Sequence, residues 1–190
     1  MNMKKGLITL GIIVLILAVL AGFTVNNYNG LVSARETVDN QLSNIDTQLQ
    51  RRNDLIPNFV NTVKGYASHE SEVFGAVADA RAKMAGANTA AELAQADNEL
   101  SSALSRLLVV VENYPELKAD TQFTALSDEL AGTENRIATA RRDYNAAAKE
   151  YNVAIQRFPK VIFANMFGFT KADYFQAAEG AEQAPTVNFD

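Results

Sequence analysis

The chain has 190 residues, 48% of them hydrophobic and only 8% aromatic, with no Trp, no Cys and a net charge of −5. That length fits one domain plus an anchor, and the composition suits long helices better than a β-sandwich. The missing cysteines exclude disulfides, thiolate nucleophiles and Cys-based metal sites, and the acidic balance argues against a nucleic-acid partner.

The first segment, residues 6–25, reads GLITLGIIVLILAVLAGFTV and contains no charge. A helix of that length spans about 30 Å, the thickness of a bilayer hydrocarbon core. A cleaved signal peptide is the alternative, with Val19-Leu20-Ala21 as a small-residue cleavage site. A retained transmembrane helix is favoured because the apolar run is longer than the usual signal-peptide core. The lipid bilayer is therefore the first expected partner.

Lys4 and Lys5 are the only charged residues before Arg35. Because Lys and Arg collect on cytoplasmic flanks, residues 1–5 are expected in the cytoplasm of a bacterial cell, with the following domain outside it. The protein is thus predicted to cross the inner membrane once.

Two helices are predicted next, separated by a tight turn. Leu31, Val38, Leu42, Ile45 and Leu49 form a heptad stripe that predicts a helix over about 31–52. Pro57 is tolerated in a first helical turn, which places a turn near 52–54 and a second helix at about 55–86.

Two further helices follow in the sequence. Thr89 and Glu92 match a capping box that opens a third helix over about 90–114. The fourth is predicted over 120–158 because an apolar residue recurs every seven positions, at Phe123, Leu130, Ile137, Tyr144, Tyr151 and Phe158.

These elements predict an all-α protein with an antiparallel bundle of about four long helices. The expected domains are the flank 1–5, the transmembrane helix 6–25, the bundle 26–158 and a tail 159–190. The tail is aromatic and partly helical at first, then rich in Gln, Ala and Pro.

The chain resembles the LemA family of bacterial membrane proteins along nearly its whole length. The strings that carry the resemblance are Tyr28-Asn29-x-Leu31-Val32 with Arg35, Arg51-Arg52-x-Asp54-Leu55-Ile56-Pro57-Asn58, Val63-Lys64-Gly65-Tyr66, His69-Glu70, Ala80-Arg81, Glu112-x-Tyr114-Pro115-x-Leu117-Lys118, Glu134-Asn135-x-Ile137, Ala140-Arg141-x-x-Tyr144-Asn145, Tyr151-Asn152 and Phe158-Pro159. Phe59 stands where Leu is usual in that pattern. The resemblance implies a single-pass membrane protein with a helical domain, and it implies no reaction.

Arg51, Arg52 and Asp54 fall in the predicted turn between the first two helices. Caps and ion pairs that fix the turn are the favoured interpretation, and an anion site is the alternative. An exposed turn is also a candidate contact between subunits. Arg141, farther along, is expected to pair with Glu112 or Glu134.

Two aromatic groups stand out near the C-terminus. The pairs Tyr144-Asn145 and Tyr151-Asn152 lie one heptad apart and are expected to fix helix register by hydrogen bonds. The tail residues are expected to dock on the bundle, or on the membrane interface or a partner; they are Phe163, Phe167, Phe169, Tyr174 and Phe175.

His69 is the only histidine, and its neighbours do not supply the three or four ligands of a typical metal site. No catalytic, cofactor or metal residue is therefore predicted. The first functional hypothesis is a self-associating scaffold that organises a patch of envelope membrane. The second is an adaptor or regulator of another membrane protein, such as an envelope protease or a signalling protein, and an enzyme ranks last.

Overall fold

The computed structural model describes residues 3–176, with side chains from residue 6 onward. The described part is all-α, as predicted. Its six helices are α1 (Met3–Lys64), α2 (Ser71–Gly86), α3 (Ala90–Val111), α4 (Pro115–Lys118), α5 (Thr121–Ala154) and α6 (Lys160–Phe167). The residues fall into two compact units: one comprises the chain up to Asn40 with Ala146–Ala172, and the other comprises Gln41–Asn145 with the residues from Asp173 onward.

In the second unit, α1 and α5 run antiparallel. Arg136 Nε donates to Gln48 Oε1 at 3.2 Å. Farther along α1 and earlier on α5, the rings of Phe59 and Phe123 stack at 5.3 Å. Since contacts advance along one helix as they recede along the other, this pair matches the expected antiparallel bundle.

The predicted turn at 52–54 is wrong, because α1 continues without a break to Lys64. The heptad stripe simply carries on: after Leu49 it is followed by Arg52, Ile56, Phe59 and Val63, all 1% exposed or less. Pro57 lies inside the helix and removes one backbone hydrogen bond. Packing of the buried stripe on both sides of Pro57 outweighs that loss, so the proline does not mark a helix start here.

The break instead lies at residues 65–70, inside the span predicted as one helix over 55–86. The chain turns after Lys64, and α2 begins at Ser71. Gly65 and Ser68, which weaken a helix, fall in this connection. The first reversal of the bundle therefore lies between α1 and α2, 13 to 16 residues later than the predicted turn at 52–54.

The start of α3 is confirmed in detail. Thr89 Oγ1 accepts from the Glu92 backbone N–H at 3.2 Å, and Glu92 Oε2 accepts from the Thr89 N–H at 3.0 Å. Both members of the predicted capping box are therefore present. The helix ends at Val111, three residues before the predicted limit.

The end of α5 differs from the prediction. The helix stops at Ala154 rather than 158, and Phe158 is 81% exposed although it continues the seven-residue repeat. Tyr151 and Tyr144, one and two heptads earlier, are buried as expected. The seven-residue repeat thus extends beyond the end of α5. Its last member, Phe158, lies in the turn before Pro159, the residue that caps the start of α6.

The first unit combines the beginning of α1 with the end of α5 and with α6. One 18-residue window in α1 has a mean hydropathy of 2.8 and is entirely exposed, so α1 contains a stretch long and apolar enough to cross a membrane. Leu31 and Val38, farther along α1, are buried in this unit. The Arg35 guanidinium lies 5.7 Å from the Tyr151 ring centroid, where it can form a cation–π contact.

Candidate functional site

A buried arginine occupies the middle of the helical core. Arg52 takes a position in the apolar stripe of α1, and its side chain is only 2% exposed. Nη2 lies 2.7 Å from Asp97 Oδ1 on α3, and Nη1 donates to Glu134 Oε2 on α5 at 2.6 Å. Ser101 Oγ accepts from Nη1 at 3.2 Å. The cluster therefore ties three helix segments together through one guanidinium.

Asp97 is the acid at the centre of this cluster, and its side chain is 1% exposed. Arg141 Nη1 donates to its other oxygen, Oδ2, at 3.4 Å. Burial raises the pKa of Asp97 above its ordinary value, and the positive charges of Arg52 and Arg141 oppose that rise. The expected partners of Arg141, Glu112 or Glu134, are wrong, because Arg141 pairs with Asp97 instead.

Arg51 and Asp54 lie on the surface of the uninterrupted α1. Arg51 forms an ion pair with Glu129 of α5, and both side chains are largely exposed. Asp54 Oδ1 accepts from Gln50 Nε2, one helical turn earlier, at 2.8 Å. These contacts are structural ones within the bundle. Arg52 has no surface of its own, so of the three residues only Arg51 and Asp54 stay candidates for a contact between subunits.

A groove opens beside Arg52 between α1, α3 and α5. Its volume is about 560 Å³. The lining is Arg52, Phe59, Ser101, Leu104, Ser105, Leu108, Ser127, Asp128, Leu130, Ala131 and Glu134. The apolar part of the lining includes Leu108, which is 48% exposed. The Ser127 hydroxyl is buried and has no hydrogen-bond partner among the described residues.

In the second unit, the first Tyr–Asn pair holds the C-terminal segment. The Tyr144 hydroxyl donates to the Asp173 carbonyl at 2.7 Å. The Asn145 amide exchanges two hydrogen bonds with the backbone of Phe175, donating to its carbonyl at 2.9 Å and accepting from its N–H at 2.8 Å. Arg141 adds a bond from Nη2 to the Gln176 carbonyl at 3.0 Å. This side-chain pairing replaces the backbone partners that an extended segment lacks.

The second Tyr–Asn pair does the same in the first unit. Tyr151 donates to the Thr170 carbonyl at 2.8 Å. Asn152 exchanges two hydrogen bonds with the Ala172 backbone, each 2.8 Å long, and is only 5% exposed. Both pairs form hydrogen bonds, but these bonds hold the tail and do not join one helix to another, which the predicted role in fixing helix register requires. Their partner is the backbone of the tail, which the sequence did not reveal.

The aromatic tail residues divide between docked and exposed positions. Phe163 and Phe175 are buried, and the Phe175 ring stacks under the Arg141 guanidinium at 4.8 Å. Phe167 and Tyr174 are 47% and 45% exposed. Phe169 is half-buried. Phe163 and Phe175 thus dock on the protein, whereas Phe167 and Tyr174 leave almost half of their surface open to another environment. The last part of the predicted tail, residues 177–190, lies outside the described residues.

Asp97 and Glu134 were not predicted as partners of Arg52. A signal was available: an arginine that falls in register with a buried heptad stripe requires an acid opposite it. His69 lies on the surface. Among the described residues, no three or more His, Cys, Asp or Glu side chains gather in a group that could hold a metal ion.

The chain is similar in sequence to several known proteins. It is 30% identical to magnetosome protein MamQ 2 of Paramagnetospirillum magneticum, over 78% of this chain and 64% of that protein. It is 28% identical to magnetosome protein MamQ of Magnetospirillum gryphiswaldense, over 92% of this chain and 74% of the relative. A third relative, protein LemA of Metamycoplasma hominis, is 24% identical over 82% of this chain and 71% of its own.

The chain spans about 64% of the length of the first of these relatives. The exposed apolar stretch of α1 fits a membrane protein. The model of the LemA family matches residues 41–189, which covers the buried charge cluster and both Tyr–Asn pairs. The chain therefore belongs to the LemA family.

Proposed function

We propose that this protein is a non-enzymatic, membrane-anchored helical scaffold that self-associates and organises a patch of the bacterial envelope membrane. The observation that carries the proposal is the continuity of α1. The same helix holds the exposed apolar stretch and, as far as Lys64, the buried stripe of the bundle. An anchor that shares a helix with the folded domain suits a protein whose task is to hold position at a membrane.

The polar residues of the chain support a structural rather than a chemical role. Arg52, the guanidinium beside the groove, is balanced by Asp97 and Glu134. Asn145 and Asn152 each exchange two hydrogen bonds with backbone groups of the tail. Relatives that are named as magnetosome proteins support a function at a membrane as well.

We place the contact between copies on the groove of the second unit. On α3, Leu108 is 48% exposed and its neighbour Val109 is 68% exposed. Large apolar side chains left in water next to an apolar groove mark a surface that gains free energy when it is covered. Covering this one surface is enough to form a dimer, and a second contact surface would extend the assembly.

The test is the mass of the full-length protein in detergent or nanodiscs, measured by light scattering. We expect a mass above that of a monomer, and a shift to the monomer in Leu108→Asp. Ser102→Asp is the matched control, since it adds the same charge to α3 on a face about 120° away. A wild-type protein that stays strictly monomeric at high concentration would overturn the proposal.

The alternative function, an adaptor or regulator of another membrane protein, has one observation in its favour. The groove lining includes the exposed Ser105, whose hydroxyl can accept a hydrogen bond from a polar side chain of a different protein. A photocrosslinking residue at Leu108 in intact cells separates the two functions. Crosslinks to a second copy support the scaffold, whereas one recurrent heterologous product supports the adaptor.

The proposal also includes an orientation, with Lys4 and Lys5 in the cytoplasm and the bundle outside. Because the chain has no cysteine, a single Ser68→Cys variant reports the side on which the connection between α1 and α2 lies. We expect a membrane-impermeant maleimide to label it in cells with an intact inner membrane. Labelling only after lysis would reverse the orientation.

A further inference from the structure

Helix α6 packs against the end of the apolar stretch of α1 and against the residues that directly follow it. The rings of Phe163 and Phe23 meet edge to face, with centroids 5.8 Å apart. Tyr28 makes similar contacts with Phe167 at 4.8 Å and with Phe169 at 5.9 Å. A span over residues 6–25 fills about 30 Å of hydrocarbon, so Phe23 and Tyr28 lie on either side of its outer limit.

The outer face of α6 is apolar and uncovered within this unit. Ile162 and Met166 are one helical turn apart and are 53% and 59% exposed. Phe158, just before the helix, is 81% exposed. The opposite face is the docked one, since Phe163 and Ala164 are buried.

The charge of this region is opposite to that of the whole chain. Residues 151–172 contain Arg157, Lys160 and Lys171 and neither Asp nor Glu, although the protein carries −5 overall. All three basic side chains are at least partly exposed. Basic residues beside an apolar helix face are the combination that binds a surface of anionic lipid.

We propose that α6 and Phe158 form a second, interfacial membrane contact. Phe158, Ile162 and Met166 enter the boundary between headgroups and acyl chains of the bilayer that α1 crosses, while Arg157, Lys160 and Lys171 meet anionic headgroups. The lipid surface is chosen over a protein partner because the docked face of α6 packs, through Phe163, on Phe23 inside the apolar stretch of α1, which holds the exposed face beside the bilayer that this stretch is proposed to cross. This inference rests on the proposed anchoring by residues 6–25.

The experiment uses the full-length chain, in which any introduced cysteine is the only one. Ile162→Cys and Met166→Cys are each given a nitroxide label and reconstituted into phosphatidylcholine vesicles with or without phosphatidylglycerol. Collisions with oxygen, which concentrates in lipid, are compared with collisions with a water-soluble nickel chelate. Val14→Cys marks the hydrocarbon core. Asn40→Cys, about 22 Å beyond Val25 along α1, marks water.

We expect oxygen collisions to exceed nickel collisions at Ile162 and Met166. The ratio of the two should lie between the ratios measured at Val14 and Asn40. Adding phosphatidylglycerol should raise the oxygen preference, and neutralising Arg157, Lys160 and Lys171 together to Gln should remove that gain. Nickel access at both sites equal to that at Asn40 overturns the inference. Dipolar broadening at Ile162 that grows with the protein-to-lipid ratio even when Leu108→Asp is added also overturns it, since a second copy would then cover the face of α6 itself. If Val14 fails to show lipid contact, the anchoring itself is wrong.

Discussion

Removing the charge of Arg52 while keeping its bulk gives the sharpest test of the buried cluster. In Arg52→Met, the Asp97 carboxylate stays 1% exposed and retains only the 3.4 Å contact with Arg141. Breaking a buried ion pair from one side costs about 3–5 kcal/mol, because the remaining charge is left without compensation. Glu134 adds little to this cost because its side chain is 50% exposed.

For a chain of this size, 1 kcal/mol lowers the melting temperature by about 2–4 °C, so we expect Arg52→Met to melt at least 6 °C below the wild type. The assay is near-ultraviolet circular dichroism of the tyrosines during heating in mild detergent. Arg51→Met is the matched control, since it removes an exposed ion pair one residue away and should cost no more than about 1 kcal/mol. Equal losses in the two variants would refute the reasoning.

The pH dependence of Arg52→Met follows from Asp97. Burial already raises the pKa of this acid, and loss of Arg52 removes the largest opposing effect. An acid whose pKa is raised on folding destabilises the protein above that pKa, and protonation relieves the destabilisation as the pH falls toward the ordinary value of 3.8. The difference in melting temperature between the variant and the wild type should therefore become smaller on acidification. A gap that widens would show that Asp97 is not the unpaired group.

Three other predictions concern single contacts. Asn152→Ala should expose the Ala172 amide to hydrogen exchange and cost about 1–3 kcal/mol for each backbone group left unpaired; the exposed Asn135→Ala is the control, and unchanged exchange at Ala172 would contradict the assignment. Thr89→Ala should cost about 1 kcal/mol in thermal melts. Hydrogen bonds from the backbone N–H groups of Asn88 and Thr89 lower the pKa of Glu92. The stabilisation that its carboxylate gives should therefore be complete above pH 4.5 and disappear as the pH falls through the lowered pKa. A Thr89→Ala protein as stable as the wild type would refute the capping role. Pro57→Ala should raise the melting temperature, by an amount worth up to about 3 kcal/mol, because it restores a missing helix bond in α1; a lower melting temperature would show that the proline stabilises its surroundings.

The sequence predicted elements wherever a local signal agreed with the packing. The capping box at Thr89 and the stripe through Ile137 and Tyr144 depend on neighbours within one helix, and the structure confirms both. The predicted helix boundaries were wrong where a local signal, such as a proline, conflicted with packing against distant parts of the chain. Pro57 suggested a helix start, yet the buried stripe from Leu49 to Val63 held α1 together.

The partners of the candidate residues were harder to predict than the residues themselves. Tyr151 and Asn152 were expected to form hydrogen bonds, but their acceptors and donors are backbone groups of Thr170 and Ala172, which have no side-chain signature. Phe158 continued a repeat whose helix had already ended. Spacing along a chain reports periodicity, and it does not report where another segment will lie.

The placement of Arg52 has a consequence for how the helices find their alignment. An apolar stripe that repeats every seven residues packs almost equally well when one helix shifts along another by seven residues. Apolar contacts alone therefore allow several registers of nearly equal stability. One guanidinium on α1 with one carboxylate on α3 removes that ambiguity, because any slide strands both charges among Leu and Ile side chains. The cluster therefore selects a single helix register, the one in which no buried charge is left without a partner.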